Sequence, residues 1–244
     1  MTTWRWQHHE TIRSTQDLAL EAARANDPGH LAILADLQTA GRGSRGRAWT
    51  APPGNLNLSL LLRPPPAPPG RWPLLAGLAL HTALAPYAPD LMLKWPNDLL
   101  LNGAKLAGIL IDSEATPSGH LSWLVIGLGA NLAAAPHIKG RPTASLPPPA
   151  PAARAIAEAI TQTFDAYEHA PMAAIVEAWR ACAHPIGTEL DVLTPQRRIT
   201  GRFAGLSPNG ELLLEGEALA ISSAEVFFFE KKNQKTFITG ASVA

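Results

Sequence analysis

The pair Asn102-Gly103 stands between two apolar runs, DLLL and AKLAGILID, and no other feature restricts the fold as strongly. Asn-Gly is the strongest short-range signal for a two-residue β-hairpin, because both turn residues must take positive φ. A hairpin here puts Leu100 opposite Lys105 and Asp98 opposite Ala107. Asp98 and Lys105 then share one face of the ribbon as diagonal neighbours, about 7–8 Å apart. A lysine among apolar residues must either snorkel or meet an anion. An edge-strand lysine with a surface partner is the bland alternative.

Other elements arrange themselves around this hairpin. STQDLALEAARA, 14–25, has helical spacing, and Ser14 with Asp17 fits a capping box. HLAILADLQ reads as a buried strand; in 55–62 Leu56, Leu58, Leu60 and Leu62 alternate with Asn55, Asn57 and Ser59, giving one apolar and one polar face. PPPAPPG, 64–70, is a rigid connector, because proline donates no backbone hydrogen bond. Helices are expected over 71–85, 151–168 and 171–182, and strands at LMLKW and WLVIGLGANL. Beyond Pro185 the short runs TELDVL, RITGRFAGL, ELLLEG and ALAISSAEVFFF have the rhythm of a small barrel. EKKNQKTFITGASVA, 230–244, reads as a tail.

Composition excludes several classes of protein. With 46% hydrophobic and 16% charged residues the chain carries a core and no disorder signature. Lys plus Arg and Asp plus Glu are 20 each, so no overall field holds a nucleic acid or an acidic membrane, and any anion site must be local. The lone Cys182 excludes an intrachain disulfide, and its place in a helical pattern makes it core rather than nucleophile. No signal peptide or spanning segment is evident, which predicts a cytoplasmic protein without membrane contact. His8-His9-Glu10 is not HExxH, and no Cys/His set has zinc spacing.

The chemistry concentrates in two segments. Gly41-Arg42-Gly43-Ser44-Arg45-Gly46-Arg47 follows a buried strand; its glycines expose backbone N–H groups and its arginines can fork onto phosphate. It is no P-loop, and GxGxxG fits only by chance because no helix pattern begins there. A solvated turn or an RNA-touching loop are the alternatives, although the loop lacks interleaved aromatics. Lys94-Trp95-Pro96-Asn97-Asp98 with Lys105 forms the second cluster. Gly127 and Gly129 weaken their strand unless another group comes close, and Ser14 alone reads as a helix N-cap.

Taken together, STQD, LQTAGRGSRGRAW, LKWPNDLLLNGAKLAGILID and VIGLGANL closely resemble the biotin protein ligases, and GLSPNGELLLEG is similar to their C-terminal barrel. The resemblance implies an α+β fold: a class II aminoacyl-tRNA synthetase-like mixed β-sheet with flanking helices, then a small SH3-like β-barrel. It implies a biotin/ATP-binding catalytic domain over 1–183, the barrel over 184–229 and a tail over 230–244. Such enzymes make biotinyl-5′-AMP and pyrophosphate from biotin and ATP with Mg²⁺, then pass biotin to a lysine of the biotin carboxyl carrier domain of acetyl-CoA carboxylase or a related carboxylase.

By the same resemblance Ser14, Thr15, Gln16 and Gln38 contact the biotin ring system, while Arg42, Gly43 and Ser44 lie along its tail and the acyl phosphate. Lys105 meets the carboxylate and α-phosphate, Trp49 covers adenine, and Arg45, Arg47, Asn97 and Asn131 serve the nucleotide. Lys105, Arg42, Lys94 and Asp98 are the expected catalytic group, with Asp98 nearest the magnesium. Only 13 residues precede Ser14, too few for a helix-turn-helix, so no DNA binding is expected; a homodimer is left open. A lipoate or octanoyl ligase of the same superfamily is the nearest rival, and a non-catalytic biotin sensor the next.

Two positions depart from the family pattern, which usually has Asn at Gln16 and often Arg at Ser44. The loop that retains the adenylate then lacks one cation. Ser44→Arg is expected to slow biotinyl-5′-AMP dissociation, measured as an off-rate against the native protein. An unchanged rate would count against a retaining role for this position.

Overall fold

In the computed structural model the described residues are 3–65, 67–116, 120–194, 197–217, 220–221 and 225–228, with Arg45 and 225–228 described by their backbone only. The expected tail, 230–244, lies outside these residues. A seven-stranded sheet has the order β1-β2-β3-β7-β6-β5-β4. It comprises β1 (Arg5–Ile12), β2 (Leu31–Gln38), β3 (Leu56–Leu62), β4 (Leu91–Lys94), β5 (Asp98–Leu101), β6 (Ala104–Ala115) and β7 (Leu121–Ala130). Helix α1 (Thr15–Arg24) connects β1 to β2, the one parallel pair; every other neighbouring pair in this sheet is antiparallel.

Side-chain alternation assigns the two faces of this sheet. Leu56, Leu58, Leu60 and Leu62 point into the large core beneath α2 (Arg71–Leu84), α3 (Ala153–Tyr167) and α4 (Met172–Ala181). Leu61 points the other way, to a smaller core with Ala19, Leu20 and Ala23 of α1, Ile33 and Val125. Arg71, buried at the start of α2, donates to the carbonyls of Tyr167, Glu168 and Ala170 and so closes the C-terminal end of α3.

Strand β1 was not legible in the sequence. RWQHHETI is mostly exposed at the sheet edge, so it has no apolar face to betray a period of two, and its register with β2 supplies its order. The hairpin holds, with Asn102 at φ 51° and Gly103 at φ 79°. Its register needs one correction. A bulge between Leu99 and Leu100 places Asp98 opposite Gly108 instead of Ala107, while Leu100 still faces Lys105.

The C-terminal strands β8 (Glu189–Leu193), β9 (Arg198–Leu206), β10 (Leu212–Leu214) and β11 (Glu225–Phe228) form a four-stranded antiparallel sheet in the order β10-β9-β8-β11. The described residues form this small sheet, with an isolated bridge from Leu212 to Ile221, and not the closed barrel that was expected. Its apolar face is continuous with the main core, and Trp95 Nε1 donates to Gly210 O at 3.1 Å. Among the described residues no helix is long and apolar enough to cross a membrane. Burial raises the pKa of the half-buried Cys182 thiol, which disfavours the nucleophilic thiolate.

His184 joins α4 to this second sheet, with its ring 4.3 Å from that of Phe203. Burial is the largest cause pulling its pKa down to about 4, with the Lys94 charge adding to it and a backbone hydrogen bond at Leu93 opposing it. The unfolded chain, with an ordinary histidine near 6.5, therefore binds more protons between these values. Stability should fall as pH drops from 6.5 to 4 by on the order of 3 kcal/mol and gain no further slope from this group below that. Denaturant titrations across that window should show this slope in the native protein and not in His184→Phe.

Candidate functional site

An open cavity of about 460 Å³ lies where the N-terminus of α1 meets the polar face of β3. Ser14 begins the helix: its hydroxyl accepts from the Asp17 amide at 3.3 Å, and the residue is buried and does not line the cavity. Thr15 and Gln16, the first two helical residues, do line it. Gln38, at the end of β2, accepts from Thr15 N at 2.8 Å and donates to Asn57 Oδ1 at 3.0 Å. Ser59 Oγ lies 2.9 Å from Thr15 Oγ1 and 3.0 Å from Gln16 Oε1. A buried polar floor results, each member holding the next.

Asn57 and Ser59 were not among the expected site residues. The signal was available, since their alternation with leucines gave β3 a polar face. Yet a polar face ordinarily means solvent, whereas every residue of β3 is buried. Glycines of β6 and β7 make room on the same face. A methyl group on Gly127 would sit 2.6 Å from Gln16 Oε1, and one on Gly129 2.4 Å from Trp49 Cε2. The close neighbours that these glycines required are therefore side chains.

The Gly/Arg loop closes over this floor as a small hairpin. Trp49 N donates to Gly41 O at 2.9 Å and Gly43 N to Arg47 O at 2.7 Å, with a single 3₁₀ turn over Ser44–Gly46. Arg42 Nη1 lies 3.2 Å from Asp17 Oδ1 and 3.4 Å from Asp112 Oδ2. Asp112, near the end of the apolar run of β6, also accepts from Gln16 Nε2 at 3.0 Å. It carried no recognisable sequence signal. Gly43, Ser44 and Trp49 line the cavity with Arg42.

On the far wall Lys105 Nζ meets Asp98 Oδ1 at 2.5 Å and stands 6.0 Å from the Trp49 ring centre. The diagonal pairing expected from the hairpin is thus realised despite the bulge. Gly108 leaves the space that the lysine side chain uses, because a methyl there would come within 3.0 Å of Nζ. Asn97 lines the cavity and donates to Ile109 O at 2.8 Å, which ties the β4–β5 turn to β6 beyond its bulge.

Arg42 and Lys105 therefore share one cavity with Thr15, Gln16, Gln38, Gly43, Ser44, Trp49 and Asn97. Four expected contacts, besides Ser14, do not reach its wall. Lys94 pairs with Asp98 across the β4–β5 register, and Asp98 itself stands behind Lys105 as its partner. Arg47 folds back onto Ser44, its Nη2 3.0 Å from the Ser44 hydroxyl. Asn131 is buried beyond β7 and donates to Ala144 O at 3.0 Å. The side chain of Arg45 lies outside the described residues. In chemical terms the floor offers neutral donors and acceptors to a small polar ring, and the wall and lid offer cations to an anion.

Residues 9–131 match the model of the biotin/lipoate A/B protein ligase family. A biotin--[acetyl-CoA-carboxylase] ligase of Paracoccus denitrificans is 36% identical over 218 residues, 80% of this chain and 89% of that protein. A bifunctional ligase/repressor of Bacillus subtilis is 39% identical over 129 residues, 51% of this chain and 39% of that protein. Among solved structures, the biotin protein ligase of Aquifex aeolicus in complex with biotin and ATP shares the fold, with TM-score 0.76 and 24% identity over 91% of this chain and 97% of that one.

The contact of Trp49 with Gly129 has a direct consequence. Gly129→Ala is expected to push the indole off the strand and cost about 1–3 kcal/mol from overpacking. Tryptophan emission and denaturant unfolding check this; unchanged values for both would contradict the packing described.

Proposed function

Because the chain belongs to the biotin/lipoate A/B protein ligase family, we propose that it is an ATP-dependent biotin protein ligase whose chemistry takes place between Arg42 and Lys105. The observation that carries this reading is the convergence of a neutral polar floor and two cationic side chains on one cavity. The ureido ring of biotin has two N–H donors and one carbonyl, which suits a floor of Thr15, Gln38, Asn57 and Ser59. A dithiolane or an octanoyl chain has nothing to offer these groups and would desolvate them without return. That difference favours biotin over lipoate.

In the first step a carboxylate oxygen of biotin attacks the α-phosphorus of ATP. A new P–O bond forms, the bond from that phosphorus to the bridging oxygen breaks, and pyrophosphate leaves. The carboxylate is ionised at neutral pH, so neither a protein base nor a protein nucleophile is required. The obstacle is the approach of two anions, and the contribution of the protein is charge placed in advance. Lys105 supplies it from the wall, held in place by Asp98, and Arg42 supplies it from the lid. Gly43 and Ser44 cover the tail, and Trp49 stands at the adenine side. Arg47 holds the Ser44 hydroxyl at the lid, while Lys94 and Asn131 stand behind the wall. Ser14 caps α1, which leaves the side chains of Thr15 and Gln16 at the pocket and the positive end of the helix dipole beside it.

Magnesium belongs to this reading as part of the substrate, bound to the triphosphate. Among the described residues no group of three or more metal-ligating side chains comes together, and the Asp98 carboxylate is engaged by Lys105. A resident magnesium site does not fit these residues. In the second step a neutral lysine amine of a biotin carboxyl carrier domain attacks the acyl carbon; an amide forms, AMP departs with the anhydride oxygen, and the amine loses a proton. The mixed anhydride must be kept from water meanwhile, which is the use of a Gly-rich loop over the cavity.

The same reading includes a class II synthetase-like description of the main sheet, an SH3-like one of the C-terminal sheet, and a division into residues 1–183 and 184–229. The segregation of α1 from α2–α4 on opposite faces of the main sheet supports the first of these.

Pyrophosphate release in the presence of ATP, Mg²⁺ and either biotin or lipoate tests the reading. Biotin-dependent release is expected from the native protein, and a loss of about 100-fold or more from Lys105→Ala. Release with lipoate alone, or indifference to loss of the lysine, would overturn it.

A further inference from the structure

We propose that Asp112 is a positioning residue that ties the floor of the biotin pocket to the seat of the Gly/Arg loop and so places Arg42 for biotin; this rests on the function proposed above. One carboxylate oxygen, Asp112 Oδ2, lies 3.0 Å from Gln16 Nε2 and 3.4 Å from Arg42 Nη1. It thus bridges the floor of the cavity and its lid. No other described carboxylate touches both.

The chain of contacts behind it is continuous. Gln16 Oε1 is held by Ser59 Oγ at 3.0 Å, and Gln16 Nε2 also reaches Val125 O at 3.3 Å, so the amide orientation is set by the strands below. Gly127 leaves the room that the longer glutamine side chain needs. Asparagine at position 16 would be one methylene shorter and could not reach Asp112 from the same backbone. The strands that fix the Gln16 amide therefore also fix Asp112, and Asp112 in turn presents its charge to Arg42. Because Trp49 N is tied to Gly41 O at 2.9 Å, the arginine and the indole belong to one small hairpin.

The strength of the link suits a latch. Arg42 and Asp112 are partly exposed, with side chains 39% and 29% accessible, and such pairs are modest in water. Asp17 holds the same guanidinium nitrogen from α1 at 3.2 Å. The two aspartates hold the guanidinium over the cavity before an anion arrives, and because the pairs are partly exposed the loop can still lift for a large acceptor.

A double-mutant cycle decides the matter. Asp112→Asn keeps the size and an acceptor for Gln16 but removes the charge that faces Arg42. In biotin-dependent pyrophosphate release it should raise the KM for biotin roughly three- to tenfold and change kcat less. In an Arg42→Ala background the same substitution should have no further effect on KM. Equal effects in both backgrounds, or no change from Asp112→Asn in the native background, would overturn the coupling. If Asp112→Asn melts near the assay temperature, Asp112→Ser, which also removes the charge, carries the cycle, with melting curves recorded for all proteins. Absence of biotin-dependent release from the native protein would instead refute the function on which the coupling rests, so the two failures are distinct.

Discussion

Everything at the site depends on a short run of hydrogen bonds buried inside an otherwise leucine-rich sheet. Gln38, Thr15, Ser59 and Gln16 satisfy one another across β2, α1 and β3. Buried polar groups are costly unless paired, so each side chain is restricted to the rotamer that keeps its partner. The strands that carry them are themselves locked by leucines on the opposite face. A recognition surface on such a frame loses little entropy when a ligand arrives, because its donors and acceptors are already oriented.

The cationic half of the site is built on the reverse principle. Arg42 belongs to a glycine-rich hairpin tied down by backbone hydrogen bonds within the loop and by partly exposed ion pairs to Asp17 and Asp112. Lys105, by contrast, is fixed by a β-hairpin and by its contact with Asp98. One charge is rigid and the other is displaceable. That asymmetry suits a reaction in which two anions enter, a mixed anhydride must be sheltered, and a large acceptor must then reach the acyl carbon.

Most of the organisation was legible in the chain. Helices α1 to α4, the strands from β2 onward and the Asn102-Gly103 hairpin follow from periodicity and turn chemistry that neighbours in sequence dictate. Strand β1 escaped because an edge strand is specified by its partner's backbone and carries no apolar period of its own. The bulge in β6 escaped because one inserted residue is a choice made by cross-strand packing, and it moved Asp98 from Ala107 to Gly108 without breaking its pairing with Lys105. At the site the charged and glycine-rich segments announced themselves by composition. Asn57, Ser59 and Asp112 did not, since a polar residue in a strand means solvent until the covering element is known.

The order of residues alone determined that a Gly/Arg loop, a lysine hairpin and a capped helix would be available, because each is a local consequence of φ preference, spacing or capping. Tertiary structure decided that α1 would cover the polar face of β3 and turn it into a floor, and that Arg47 and Asn131 would stand behind the wall. It also decided that a single aspartate would touch both the floor and the lid. Those outcomes depend on which surfaces lose their water together, and that is settled only when distant segments pack.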